Sequence, residues 1–141
     1  MSARIRSAGP GDAPALGAIL SDWIDETHWM PRLHTRTQDS RFVAHLIDHG
    51  TVYVAELSGA TVGFLCCEDQ EVTALYLSKE ARGQGAGTAL LQRVKDTQTR
   101  LSLWTFQANT GALRFYARHG FQETDRSDGV NAEGLPDVQL T

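Results

Sequence analysis

The chain has 141 residues, 41% of them hydrophobic and 21% charged, with a formal net charge of −4. That size and balance suit a single domain over residues 1–141 with one real core, and they exclude disorder driven by bulk composition. Lys and Arg are scattered through a mildly acidic chain instead of gathered into a stripe, which argues against nucleic acid as a partner.

Residues 1–10 include basic side chains, but the nearest apolar run, 15–20, is short and broken by Gly17, unlike a secretory leader. No run is long and apolar enough for a bilayer span, so cytoplasmic residence and no membrane partner are expected. A strand at Arg4–Ser7 comes first. Asp12 before Ala13 and Pro14 marks a helix start, and Leu16, Ile19, Leu20 and Trp23 then recur at helical spacing. Residues 27–35 read as an aromatic, basic loop. Thr35 and Gln38 form a capping box for a second helix carrying Phe42, Val43, Leu46 and Ile47, which Gly50 ends.

From Thr51 the period becomes that of strands: Thr51–Leu57, residues 61–68 and Glu71–Leu77, with turns at Ser58-Gly59 and Asp69-Gln70. Alternation sends the adjacent Cys66 and Cys67 to opposite faces, so no disulfide joins them. A helix is expected over 85–98, a strand over 101–106, a short helix over 110–119 closed by Gly120, and strands over 121–126 and 135–140. The order is β-α-α-β-β-β-α-β-α-β-β. It predicts an α/β (α+β) fold: a mixed, mostly antiparallel sheet of about seven strands with four helices on its faces.

Between a strand and a helix lies Arg82-Gly83-Gln84-Gly85-Ala86-Gly87-Thr88. Glycines let backbone approach a ligand closely, and a helix start offers unpaired N–H groups with a positive dipole end. The pair suits a pyrophosphate, with Arg82 adding charge at the rim. The loop is neither a dinucleotide-binding fingerprint nor a Walker A loop: Thr88 or Leu90 stands where the first needs a small residue, and Gly87 where the second needs Lys.

Arg82-x-x-Gly85-x-Gly87 resembles the (Arg/Gln)-x-x-Gly-x-(Gly/Ala) signature of the GNAT superfamily of N-acetyltransferases. Asn109, Ala112, Phe115, Tyr116, Gly120 and Phe121 look like that family's second, C-terminal pattern, at the right separation. The resemblance implies that Leu75, Tyr76 and Leu77 offer a strand edge to a pantetheine arm. It further implies that Gly83, Gln84, Gly85, Ala86, Gly87 and Thr88 cradle the pyrophosphate of acetyl-CoA, that Asn109 contacts the arm, and that Tyr116 is the general acid facing the sulfur. Lys79 departs from a frequent Pro. Trp104 stands where some peptide N-terminal acetyltransferases carry a catalytic Glu, which leaves the base unassigned.

Amine acylation by a thioester needs a neutral amine, a polarised carbonyl and a protonated leaving sulfur. An alkyl ammonium ionises near ~10, so a base or a water chain must help; Glu71, Glu68 and His34 are the candidates, in falling order. Backbone N–H at a bulge in the strand Glu71–Leu77 suits the developing oxyanion, typically worth about 3–4 kcal/mol per donor. In the 27–35 loop, Trp29, Met30, Arg32 and His34 suit an acceptor pocket, Arg32 as a carboxylate-binding fork; Trp29 and Met30 are equally fit to anchor the loop on the core. His45 and His49 share a helix face without a third ligand, so no metal is expected.

The expected activity is transfer of an acetyl group from acetyl-CoA to a primary amine of a small molecule, amino-acid-like compound or peptide, by direct attack in a ternary complex. The alternative is an acyl-CoA-binding regulatory module without turnover, and a structural domain would show no coenzyme affinity. A homodimer through the C-terminal strands is the assembly that analogy offers.

Overall fold

Helix, strand and turn signals place the elements close to where the sequence puts them. In the computed structural model, which describes residues 2–141, they are β1 (Arg4–Ser7), α1 (Ala13–Glu26), α2 (Arg36–His49), β2 (Thr51–Leu57), β3 (Ala60–Glu68), β4 (Glu71–Leu77), α3 (Ala86–Lys95), β5 (Ser102–Phe106), α4 (Thr110–Arg118), β6 (Glu123–Ser127) and β7 (Asp137–Leu140). Met1, the first residue of the expected domain, lies outside the described residues.

The capping box at α2 forms as read. Thr35 Oγ1 accepts from the Gln38 amide at 3.1 Å, and Gln38 Oε1 accepts from the Thr35 amide at 2.8 Å. Asp12 precedes α1, but its carboxylate does not cap the helix; it accepts from the Arg6 guanidinium at 2.8 and 2.9 Å and from the Gly9 amide at 2.8 Å. That fork pins β1 to the start of α1 and holds the Asp12 carboxyl below the usual carboxylate range.

Three ends fall two or three residues inside their expected limits, each for a backbone reason. Helix α3 stops at Lys95 because the Val94 carbonyl takes both the Thr97 and Gln98 amides, closing a tight turn. Strand β6 starts at Glu123 because the Phe121 amide is spent on the Tyr116 carbonyl at the end of α4. Strand β7 starts at Asp137, after Pro136, which has no N–H to give a ladder.

The seven strands form one sheet in the order β1-β2-β3-β4-β5-β7-β6, antiparallel at every pairing except β4 with β5. The sheet separates two cores. Leu16, Ile19 and Leu20 of α1 and Val43 and Leu46 of α2 pack with Val52, Val54, Phe64 and Cys66 on one face. Leu90, Leu91 and Val94 of α3 and Tyr116 of α4 pack with Leu65, Cys67, Val72 and Leu103 on the other. Cys66 and Cys67 thus go to opposite faces, both buried and free, and burial pushes both thiols up.

Strand β4 carries one irregularity. Cys66 pairs with Ala74 and Cys67 with Val72, so Thr73 is an extra residue opposite β3. Such a bulge reverses the phase of side-chain alternation. Val72 joins the α3 face and Ala74 the α1 face, although plain alternation would place both on one side. Beyond the bulge, Leu75 and Leu77 face the α3 core and Tyr76 the α1 core.

Candidate active site

Strands β4 and β5 are paired only at Glu71 with Ser102 and Val72 with Leu103, then part. From Thr73 to Leu77 the edge of β4 facing β5 therefore lacks a ladder partner in the middle of the sheet. A cleft of about 490 Å³ opens there, walled by Thr73 to Leu77, by Leu103 to Phe106, by Trp23 of α1, and by Asn109, Ala112, Phe115 and Tyr116 around α4. An interior edge with free backbone groups accepts an extended, amide-bearing ligand as a strand would. Because the bulge sends neighbouring β4 residues to both faces, the cleft has walls from both layers of the domain.

At the α3 end of the cleft, Gly83 and Gly85 take left-handed φ of +76° and +88°, and a Cβ at either would meet nothing within 4 Å. Conformation, not crowding, requires glycine there, and the space above the turn stays clear for a ligand. Arg82, Gly83 and Gly87 line the cleft. Ala86 is fully buried beneath the turn. Gln84 donates to the Glu80 carbonyl at 2.6 Å, and Thr88 Oγ1 lies 3.2 Å from His119 Nε2, so both side chains serve the scaffold around the turn. Asn109 caps α4 through Oδ1, which accepts from the Ala112 amide at 3.1 Å, while its Nδ2 takes no protein partner among the described residues. These groups fit a diphosphate followed by a pantetheine arm.

Tyr116 stands on α4 against Phe115 and Phe121, with ring centroids 5.2 and 5.4 Å away. Its residue is 7% exposed, yet no group among the described residues hydrogen-bonds the hydroxyl. Since no fully buried side-chain polar atom among the described residues lacks a partner, that oxygen opens into the cleft it lines. Burial raises its pKa above the ordinary tyrosine value, and the Tyr76 phenol adds to the shift. Tyr116 therefore keeps its proton across neutral pH and is a donor. Tyr76 lines the same cleft, and burial pushes it up to about 12, with the Glu133 carboxylate on the β6–β7 loop contributing.

The expected base residues lie elsewhere. Glu71 is exposed at the turn end of β4, paired with Glu68 and Ser102 where the two strands are still bonded, below the point of divergence. None of Glu71, Glu68 and His34 is among the residues that wall the cleft. Among the described residues, the walls of the main cleft hold no carboxylate and no imidazole. Arg32 is not an open fork: it donates to Asp25 at 2.7 Å, Asp39 at 3.0 Å, and the His34 and Ser21 carbonyls at 2.9 Å each. It ties the 27–35 loop to the α1–α2 pair and compensates the buried Asp39 carboxylate, which also accepts from Ser21. His45 and His49 stack at 4.1 Å on the exposed face of α2, and the described residues contain no group of three metal-type ligands.

Trp29 does reach a cavity. A second hollow of about 250 Å³, sharing Trp23, Asn109 and Gly111 with the cleft, is lined by Trp29 and Glu26. Trp29 packs edge-on to Trp23 at 5.9 Å and to Phe106 at 5.8 Å, and Trp23 meets Tyr76 at 5.2 Å. Trp23, Phe106 and Glu26 carry no signal in the sequence beyond helix or strand periodicity, and only the fold gathers them here.

A sheet parted at a parallel pair, a left-handed glycine turn at a helix start and a cleft-facing phenol together define an acyltransferase dependent on coenzyme A. Comparison with known proteins agrees. Residues 48–123 match the family described as acetyltransferase (GNAT) domain. The peptidyl-lysine N-acetyltransferase YjaB of Salmonella typhimurium is 28% identical over 137 residues, covering 96% of this chain and 94% of that protein. The solution structure of apo-form YjaB from Escherichia coli superposes with a TM-score of 0.81 at 26% identity, covering 99% of this chain and 97% of that one. The structure of yncA from Salmonella typhimurium with acetyl-CoA shares the fold, with a TM-score of 0.76 at 20% identity over 99% of this chain and 92% of that one. The chain belongs to the GNAT acetyltransferase family, and it is an acetyl-CoA-dependent N-acetyltransferase.

Proposed function

We propose that the protein transfers acetyl from acetyl-CoA to a primary amine of a small molecule, amino-acid-like compound or peptide, by direct attack while both substrates are bound. The observation that carries this reading is the Tyr116 hydroxyl, unpartnered and open to the gap between β4 and β5. In this reading Arg82, Gly83, Gly85 and Gly87, with the first amides of α3 at Ala86 and Thr88, hold the diphosphate. The free edge of Leu75, Tyr76 and Leu77 and the Nδ2 of Asn109 hold the arm. The C–N bond forms as the C–S bond breaks, Tyr116 gives its proton to the departing sulfur, and the proton shed by the acylated nitrogen returns to Tyr116 through water. Cys66 and Cys67 are buried thiols outside the cleft walls, which favours direct attack over an acyl-cysteine route.

Among the described residues no carboxylate or imidazole lines the main cleft, so in this reading the ammonium loses its proton to solvent at the mouth. The relative's name, peptidyl-lysine N-acetyltransferase, makes lysine side chains the first acceptors to try. The test is thiol release from acetyl-CoA across a panel of amines and lysine peptides, run beside calorimetry of CoA binding. Release with at least one amine upholds the reading. Tight coenzyme binding with no release from any amine replaces it with a regulatory acyl-CoA-binding module, a role that the absence of a lining base would suit.

A further inference from the structure

One ion pair joins the two halves of the site. Glu26, at the last turn of α1, lines the second hollow with Trp23 and Trp29; Arg82, beside Gly83, lines the main cleft. Their side chains are bonded to each other, 26% and 39% exposed respectively. Arg82 also donates to the Leu77 carbonyl at 3.0 Å, and neither charge has another ionic partner among the described residues. With this pair closed, the hollow has a mainly polar wall that includes Trp23, Trp29 and His28, and its carboxylate is neutralised.

A guanidinium fork matches phosphate oxygens, and a diphosphate carries more charge than one carboxylate, so a donor seated on the glycine turn competes for Arg82. A released Glu26 then stands as a free carboxylate beside two indole rings and the His28 imidazole, and an anion with adjacent indole rings attracts cations. The hollow shares Trp23, Asn109 and Gly111 with the cleft, so the two spaces adjoin and one elongated acceptor meets both.

We propose that this hollow is a subsite for a second positive charge on the acceptor, a cationic group other than the amine being acetylated, and that Arg82 masks its Glu26 until the donor's diphosphate draws Arg82 away. The inference rests on the acetyltransferase reading but adds a substrate class, dicationic amines, and a coupling between donor and acceptor. Small polyamines and lysine peptides with a neighbouring basic residue share this chemistry.

The test compares cadaverine with pentylamine, which differ by the remote ammonium. In wild type, kcat/KM favours cadaverine by about tenfold, within the range of a partly desolvated charge contact. In Glu26→Gln the preference falls to near unity, while acetyl-CoA binds about threefold to tenfold tighter because no carboxylate competes for Arg82. A merely structural Glu26 would not move these two quantities in opposite directions. Trp29→Leu keeps the ion pair and weakens only cadaverine. Calorimetry of cadaverine binding to CoA-loaded protein reads the subsite without turnover, and tighter binding there than to the free protein is expected. A lysine peptide with and without an adjacent arginine distinguishes peptide from polyamine, since only a peptide site gains from that arginine. Equal use of both amines, a diamine preference surviving in Glu26→Gln, or unchanged coenzyme affinity in that variant overturns the inference. Failure to acetylate any amine instead overturns the acetyltransferase reading, while the binding arm still tests the subsite.

Discussion

At the level of single residues, the proposed chemistry turns on one phenol. Tyr116 is surrounded by Phe115, Phe121 and the α3 core, which keeps it protonated, and its oxygen still meets the cleft. Tyr116→Phe preserves the packing and removes the proton, so kcat is expected to fall by about 10²-fold or more with little change in KM for acetyl-CoA. Steady-state kinetics checks it, and unimpaired turnover would remove Tyr116 from the mechanism. Proton removal from the amine gives a separate expectation. With no base on the cleft wall, log kcat/KM should climb with unit slope toward the amine's own ionisation near ~10. Glu71→Gln should leave that profile in place, and a plateau near neutrality that disappears in Glu71→Gln would restore Glu71 as the base.

Among the elements, the α1–α2 pair shows how a local weakness becomes a packing requirement. Gly17 interrupts an apolar helix and would be replaced by Ala at a gain of up to about 1 kcal/mol if it were free. A Cβ there, however, would sit 2.6 Å from the Ser40 Cα, a backbone atom of α2 that cannot swing aside. Overpacking wins, and Gly17→Ala is expected to destabilise by about 1–3 kcal/mol, read from the urea midpoint at unchanged m. A stabilised variant would show that the helices separate at little cost. The glycine turn behaves differently. Gly85 is required by its φ of +88° alone, so Gly85→Ala should strain the backbone and weaken acetyl-CoA binding even though the space beside it is open.

For the whole molecule, the two-layer arrangement places ionisable phenols in the seam between layers. An unfolded tyrosine ionises near 10, whereas native Tyr76 holds its proton to about 12. Between those values the unfolded chain releases a proton that the native protein keeps, so this stability is complete below pH 10 and is lost as pH rises toward 12. Melting temperature measured in steps of pH should fall across that window, and Tyr76→Phe should flatten part of the fall. An identical slope in the variant would mean that the phenol is hydrated in the native state.

The sequence by itself determined the element order, the α2 capping box, the opposite facing of Cys66 and Cys67, the glycine turn and the second motif around Asn109 and Tyr116. All of these depend on near neighbours: hydrophobic period, turn chemistry and capping are fixed within a few residues along the chain. Only the tertiary structure decided that the bulge expected in β4 falls at Thr73, that β4 and β5 part after two paired residues, that Arg32 serves the α1–α2 scaffold, and that Glu71 lies below the cleft. It alone brought Trp23, Glu26, Trp29 and Phe106 together beside Arg82. Those outcomes depend on register between strands and on charges far apart in sequence, and no local period records which distant partner will satisfy them.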